Sequence, residues 1–210
     1  MKSTAVAICA PSGVGKTTVA RRLVEASNDV MFSVSATTRS ARSSERQGVD
    51  YFFVSRAEFE LMIEEGTLLE WAEVHGDLYG TPRANLEEAQ RDGKRLILDI
   101  DIQGARQLVE AVPDSITIFL LPPSFDVLMG RLKGRRSEDE DRVRRRMQTA
   151  RSELEAVGEF QYVVVNDRLD DTVEEVQAII RGEGRRSERS MLDVEGLSRG
   201  LLDELGGAEA

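Results

Sequence analysis

The sequence has one cysteine, Cys9, in 210 residues. A lone thiol excludes an intrachain disulfide and a cysteine-built metal cluster, and it suits a reducing compartment. Histidine is equally scarce: His75, beside Gly76 in an expected turn, reads as structural or solvent-facing. No apolar run approaches the roughly 18 residues of a membrane-crossing helix, so no membrane partner is expected. The six apolar residues Ala5 to Ala10, between Lys2 and Pro11, are too short a run for a secretory signal, and a cytoplasmic location is expected. Positive charge is in the minority, with 28 Lys and Arg against 38 Asp and Glu and a net charge of −10. That balance disfavours nucleic acid as a partner and makes any cationic stretch a local device. Hydrophobic residues at 40% and charged residues at 31% are ordinary for a globular chain.

What is present is alternation. Ala5-Val-Ala-Ile-Cys-Ala10 is a continuous apolar run, expected as a strand buried on both faces. After the turn Pro11 to Gly15, Lys16 to Ala26 carries Val19, Ala20, Leu23 and Val24 at helical spacing. Tyr51 to Val54 and Leu68 to Trp71 are short strand-like runs, with Trp71 expected in the core, and Glu58 to Glu65 is a helix closed by Gly66. Asn85 to Asp92 is an expected helix ending at Gly93, Arg95 to Asp101 a second buried strand, and Ile102 to Ala111 a helix. Ser115 to Leu121 is a third strand, stopped by Pro122-Pro123. Residues 124–159 read as mostly helical, Tyr162 to Val165 as a strand and Thr172 to Arg181 as a helix. Strands alternating with helices predict an α/β fold, a parallel sheet core flanked by crossover helices, with residues 33–82 as a mixed insertion. The tail, 182–210, carries Leu192, Val194, Leu197, Leu201, Leu202 and Leu205 at roughly helical spacing among Gly, Ser and charge. A frayed helix, a partner-docking helix and disorder all stay open there.

Ala10-Pro-Ser-Gly-Val-Gly-Lys-Thr17 nearly matches the phosphate-loop pattern GxxxxGK[ST], and it lies between a buried strand and a helix, as that pattern requires. Gly13 and Gly15 let backbone N–H groups turn inward around phosphate oxygens, and the following helix adds its positive end. Lys16 supplies a cation to the β/γ phosphates and Thr17 a hydroxyl to Mg²⁺. The departure is Ala10 in place of the first glycine, a single methyl at the strand border. The loop residues Ala10, Pro11, Ser12, Gly13, Val14, Gly15, Lys16, Thr17 and Thr18 are the expected ATP-binding set, with Mg²⁺ accompanying ATP. Asp99 ends the apolar run Leu96-Ile-Leu in a Walker-B-like position and is expected near that Mg²⁺, through water. Asp101, two residues on along the same strand, shares its face at the C-terminal end, where doubly wound sheets place their ligand crevice; the pair could instead cap a neighbouring helix.

Further blocks say what accepts the phosphate. Ser35-Ala-Thr-Thr-Arg-Ser-Ala-Arg42, Gly48-Val-Asp-Tyr-Phe-Phe53, Leu69-Glu-Trp71, Tyr79-Gly-Thr81, Leu98-Asp-Ile-Asp-Ile-Gln-Gly104 and Val165-Asn-Asp167 occur in this order. Together with the phosphate loop they resemble the guanylate kinase family, of bacterial type, among the P-loop nucleoside monophosphate kinases, over about residues 4–181. The resemblance implies a P-loop kinase core (1–32, 83–125 and 160–181), a GMP-binding subdomain (33–82) and a helical lid (126–159). It implies transfer of the γ-phosphoryl group of ATP to GMP, and to dGMP, within purine nucleotide metabolism. Ser35, Arg39, Arg42, Tyr51, Glu70, Tyr79, Thr81 and Asp101 would line the GMP site, and Asn166 would lie near the adenine side of the ATP site. The residue types suit this: one carboxylate accepts both guanine donors, N1–H and N2–H₂, a hydroxyl donates to O6, and guanidinium forks match phosphate oxygens. Ser43-Ser44 stands where the family usually has Pro-Gly, which loosens a turn and removes no ligand.

Residues 131–151 carry nine cationic side chains, interrupted by the four acids Glu138 to Asp141. An exposed helix laced with ion pairs is one reading. The resemblance implies the other, a lid in which Arg135 and Arg146, then Arg131, contact the transferring phosphoryl group beside Lys16, although Arg136 replaces the family's usual glycine. The acceptor oxygen of GMP is already ionised at neutral pH, so no general base is required; positioning and electrostatics carry the chemistry. A peptide-binding module that has lost catalysis, or a phosphate-loop kinase for another small acceptor, are the competing readings. Lys16, Thr17 and the lid arginines disfavour the first, and Ser35, Glu70 and Tyr79 the second. Monomer and homo-oligomer stay open.

Overall fold

The computed structural model describes residues 4–74, 76–133, 140–182 and 188–208. In chain order the elements are β1 (Ala5–Cys9), α1 (Lys16–Ala26), β2 (Val30–Phe32), β3 (Ala36–Thr37), β4 (Phe52–Phe53), α2 (Arg56–Glu64), β5 (Leu68–Val74), β6 (Asp77–Pro82) and α3 (Arg83–Arg91). They continue with β7 (Arg95–Asp99), α4 (Ile102–Ala111), β8 (Ile116–Leu121), α5 (Phe125–Leu132), α6 (Glu140–Glu155), β9 (Tyr162–Val165), α7 (Leu169–Arg181) and α8 (Glu188–Ala208). A five-stranded sheet has the order β2-β7-β1-β8-β9, and a separate four-stranded sheet the order β4-β3-β6-β5. Contacts divide the chain into two units, Met1–Ala7 with Val24–Ile116 and Ile8–Leu23 with Thr117–Ala210, so β1 runs through both.

In the first unit β2 and β7 pair in parallel, Val30 opposite Arg95 and Phe32 opposite Ile97. Leu96, Ile97 and Leu98 are fully buried, the continuous apolar texture of a strand covered on both faces. The four-stranded sheet is mixed, with β3 parallel to β4 and antiparallel to β6, and β5–β6 an antiparallel hairpin. One of its faces packs Ala36, Phe59, Leu68 and Leu78 into a small core closed by α2. That helix starts on a capping box: Ser55 Oγ accepts from the Glu58 N–H at 3.2 Å, and Glu58 Oε2 accepts from the Ser55 N–H at 2.7 Å.

In the second unit the end of β1 leads into the glycine loop and α1, and β8 and β9 pair in parallel from Ile118 opposite Tyr162 to Leu121 opposite Val165. The helices α5 to α8 complete it. The parallel sheet flanked by helices is as the apolar runs predict.

Several local expectations need correction. β7 stops at Asp99 rather than Asp101, because Asp101 turns away to cap α4, its Oδ1 accepting from the Gly104 N–H at 2.8 Å. The same-face strand pair of carboxylates is therefore replaced by a strand end and a helix cap. Trp71 is 38% exposed, not a core residue: it stands on the outer strand β5 opposite Gly80, outside the small core of Ala36, Phe59, Leu68 and Leu78. Of the readings open for the tail, a helix is the one found: residues 188–208 form α8, with Leu201 and Leu205 buried, and their spacing of four residues places both on the face that packs on α5 and α6. β2, the apolar Val30-Met31-Phe32, is only three residues long, β6 lacks a clear apolar signature in the sequence, and β4 is only two residues long.

Candidate functional site

The phosphate loop forms in the second unit because its sequence leaves the backbone few alternatives. Gly13 and Gly15 take φ of 84° and 101°, in the region that side chains disfavour. Val14 N–H closes the turn onto Pro11 O at 3.1 Å. Lys16 and Thr17 then open α1, with Lys16 half-buried, Thr17 and Thr18 exposed and Ala10 buried at the strand end. The loop's shape is held through the Val14 carbonyl, which accepts from Asn166 Nδ2 at 2.7 Å and from Arg131 Nη1 at 2.8 Å. Asn166 is itself oriented by Thr172, whose hydroxyl donates to Asn166 Oδ1 at 3.0 Å. A Cβ on Gly15 would lie 3.2 Å from Asn166 Nδ2, so the glycine also makes room for this brace.

The cationic segment reaches the same loop. Arg146 on α6 donates to Leu132 O and lies 3.5 Å from Ser12 Oγ, and Glu153 Oε2 accepts from the Ser12 N–H at 3.1 Å. Arg131, Arg146 and Asn166 are thus brought together around residues 12–14. Arg135 lies outside the described residues, as does His75. Glu153 is invisible to sequence reasoning, one acid among many; nothing local marks it as a partner of a loop amide.

The other set gathers in the first unit, on the face of the four-stranded sheet opposite its small core. Thr37 pairs with Tyr79 and Glu70 with Thr81, so alternation puts all four side chains on one face. A bulge makes this arrangement. The register shifts between Leu68 and Glu70, so Leu68 turns into the core while Glu70 turns to the polar face, although two residues apart they would otherwise share a side. Glu70 is only 4% exposed, and Thr81 is fully buried with no hydrogen-bond partner for its hydroxyl among the described residues. Next to Tyr79, Gly80 faces the core: a Cβ there would meet Phe59 and Trp71 Cβ at 3.0 Å.

At the neighbouring end of this sheet the Tyr51 and Tyr79 rings meet edge-on with centroids 6.1 Å apart, and the Arg39 guanidinium lies 5.4 Å over Tyr51. Arg39 Nη2 donates to Glu45 Oε1 at 2.9 Å, and the Arg42 N–H donates to Glu45 Oε2 at 2.8 Å. The Arg39 hydrogen bond holds the Glu45 carboxyl below the usual carboxylate range, and Glu45 in turn raises Arg39 further above its ordinary value. A carboxylate thus already sits in a nest of one guanidinium and one amide, the donors a phosphate would use. Sequence reasoning misses Glu45; its position three residues after Arg42 is the signal that could find it. Ser35 is half-buried next to β3, Arg42 has an exposed side chain, Asp99 is half-buried at the end of β7 and Asp101 caps α4. Among the described residues, no three or more His, Cys, Asp and Glu cluster as a metal-holding group.

A glycine loop opening a helix from a parallel sheet, with a lysine at its exit and arginines of two helices around it, defines a P-loop nucleotide-binding kinase core. Residues 2–183 match the guanylate kinase family model. The chain is 46% identical over 182 residues to the guanylate kinase of Syntrophotalea carbinolica, covering 87% of each chain. It is 48% identical over 183 residues to that of Rhizobium meliloti, covering 87% of this chain and 84% of that one. The crystal structure of guanylate kinase from Anaplasma phagocytophilum superposes with a TM-score of 0.71 at 34% identity, over 86% of both chains. The chain belongs to the guanylate kinase family, and so to the nucleoside monophosphate kinases.

Proposed function

We propose that the protein transfers the γ-phosphoryl group of ATP to GMP or dGMP, releasing ADP and the guanine nucleoside diphosphate for purine nucleotide metabolism in the cytoplasm. The observation that carries the acceptor's identity is the buried Glu70 carboxylate paired across the hairpin with the unpartnered Thr81 hydroxyl. Guanine offers two adjacent donors and an acceptor to such a pair, with Ser35 a second hydroxyl on that side. Adenine has no N2 amine and an unprotonated N1, and would desolvate the carboxylate without offering it a donor, at a cost of order 3–5 kcal/mol. Arg39, Arg42, Tyr51 and Tyr79 then hold the GMP phosphate. In this reading residues 33–82 are the GMP-binding subdomain, 126–159 the lid, and 1–32, 83–125 and 160–181 the core.

ATP lies in the phosphate loop with Lys16 on its terminal phosphates and Asn166 to the adenine side. Mg²⁺ is ordinarily held by one or two protein oxygens plus phosphates and waters, and Thr17 and Asp99 are donors of that kind. When bound it supplies neutralising charge to the triphosphate. Lys16, Arg131, Arg135 and Arg146 stabilise the charge on the phosphoryl oxygens in transit, and lid closure excludes water, so that the phosphoryl group goes to the nucleotide rather than to hydrolysis.

The test is ADP release measured with GMP, dGMP, AMP, CMP and UMP in turn. Rapid release with the two guanine nucleotides and little with the others is expected. Release independent of added nucleotide, or equal release with AMP, would refute the proposal. Glu70→Ala should raise the KM for GMP and weaken rejection of AMP, by a factor of order 10².

A further inference from the structure

We infer that Gly104 and Gln107, both on α4, are positioning residues for Glu70: Gly104 leaves the space that the carboxylate fills, and Gln107 fixes the strand that carries it. The inference rests on the reading of Glu70 as the guanine-binding carboxylate. A Cβ added at Gly104 would lie 2.3 Å from Glu70 Oε2 and 3.0 Å from its Cδ, well inside van der Waals contact. Backbone conformation gives no other reason for glycine here. Gly104 sits in the first turn of α4 and is absent from the positive-φ glycines, and alanine is the better helix former. The same residue's N–H is held by Asp101 Oδ1, so the helix turn against which Glu70 rests is itself pinned. That turn is also where a helix favours negative charge.

Gln107 lies three residues on, on the same side of α4. Its Nε2 donates to Trp71 O at 2.6 Å and its Oε1 accepts from the Trp71 N–H at 3.1 Å. One side-chain amide thereby completes both main-chain hydrogen bonds of the residue next to Glu70, as a neighbouring strand would. β6 holds the other edge, with Glu70 opposite Thr81. The direction of the carboxylate is thus set from both sides of β5 and from below by a missing methyl group.

The test is kinetic, on the full chain. Gly104→Ala is expected to raise the KM for GMP roughly tenfold and to lower GMP-over-AMP discrimination by a similar factor. The KM for ATP should stay at its wild-type value. Glu70→Asp weakens GMP binding on its own. In the Gly104→Ala background it should lower the KM for GMP relative to Gly104→Ala alone, because the shorter side chain withdraws from the new methyl. Gln107→Ala should raise the KM for GMP without changing that for ATP. Wild-type GMP kinetics in Gly104→Ala, equal losses for GMP and ATP, or no relief in the double variant would overturn the inference. Should Gly104→Ala fail to fold, recovery of folding by Glu70→Asp supports the assigned clash and continued failure overturns it. A wild-type protein without GMP-dependent ADP release would instead sink the functional reading itself.

Discussion

On the proposed function, single side chains act mostly by occupying or vacating positions for anions. Lys16 is the cation at the mouth of the phosphate loop. Lys16→Ala should lose phosphoryl transfer while its circular dichroism and melting transition stay as in the wild type; retained turnover would remove Lys16 from the mechanism. Glu45 is the resident anion beside Arg39. Its folded-state pKa lies below its unfolded value, so its contribution to stability is present above the unfolded value and is lost as pH falls through the folded one. Glu45→Gln should therefore lower the melting temperature at neutral pH, and the gap should close as pH falls below about 4. Melting curves taken down that pH series decide it, and a gap that holds constant would rule out the ion pair as its cause.

Among elements, the phosphate loop is legible in the sequence because its demands are local: two glycines, a lysine and a threonine close together between an apolar run and a helix. The central strands are legible for the same reason, since burial on both faces leaves an unbroken run of Val, Ile and Leu. Glu70's burial is not. It depends on an extra residue at Leu69 that reverses the alternation, and on α4 arriving from further along the chain, its Gln107 36 residues beyond Trp71. Neither leaves a mark on Leu69-Glu-Trp71. Trp71 misleads by the same route, an aromatic that suits a core but stands on an outer strand. The helix α8 is half-legible, its leucine spacing visible but not the surface that receives it. Leu205, fully buried, anchors that helix on α5 and α6. Leu205→Ala should destabilise the protein by about 2–5 kcal/mol in urea unfolding, against little change if α8 were undocked.

For the molecule as a whole, the two candidate nucleotide sets fall in different contact units, ATP residues 10–18, 131, 146 and 166 in one and GMP residues 35–81 and 101 in the other. Each nucleotide alone should then protect its own amides from hydrogen exchange: GMP those around Thr37, Phe53 and Thr81, an ATP analogue those of residues 12–18. Either ligand at about 100 times its Kd should add roughly 2.7 kcal/mol to unfolding free energy. Identical protection maps for the two ligands would contradict the assignment. With a net charge of −10, any attraction of the proposed anionic substrates would have to come from local cations rather than from the chain's overall field. The bond pair between Gln107 and Trp71 has a last effect on how this chain behaves in a crowd. Bare outer strands recruit other chains into growing sheets, and here a side-chain amide has already filled the vacancy at the middle of β5. Losing it would open a seam along which copies could stitch together, and Gln107→Ala should form aggregates at concentrations where the parent stays dispersed.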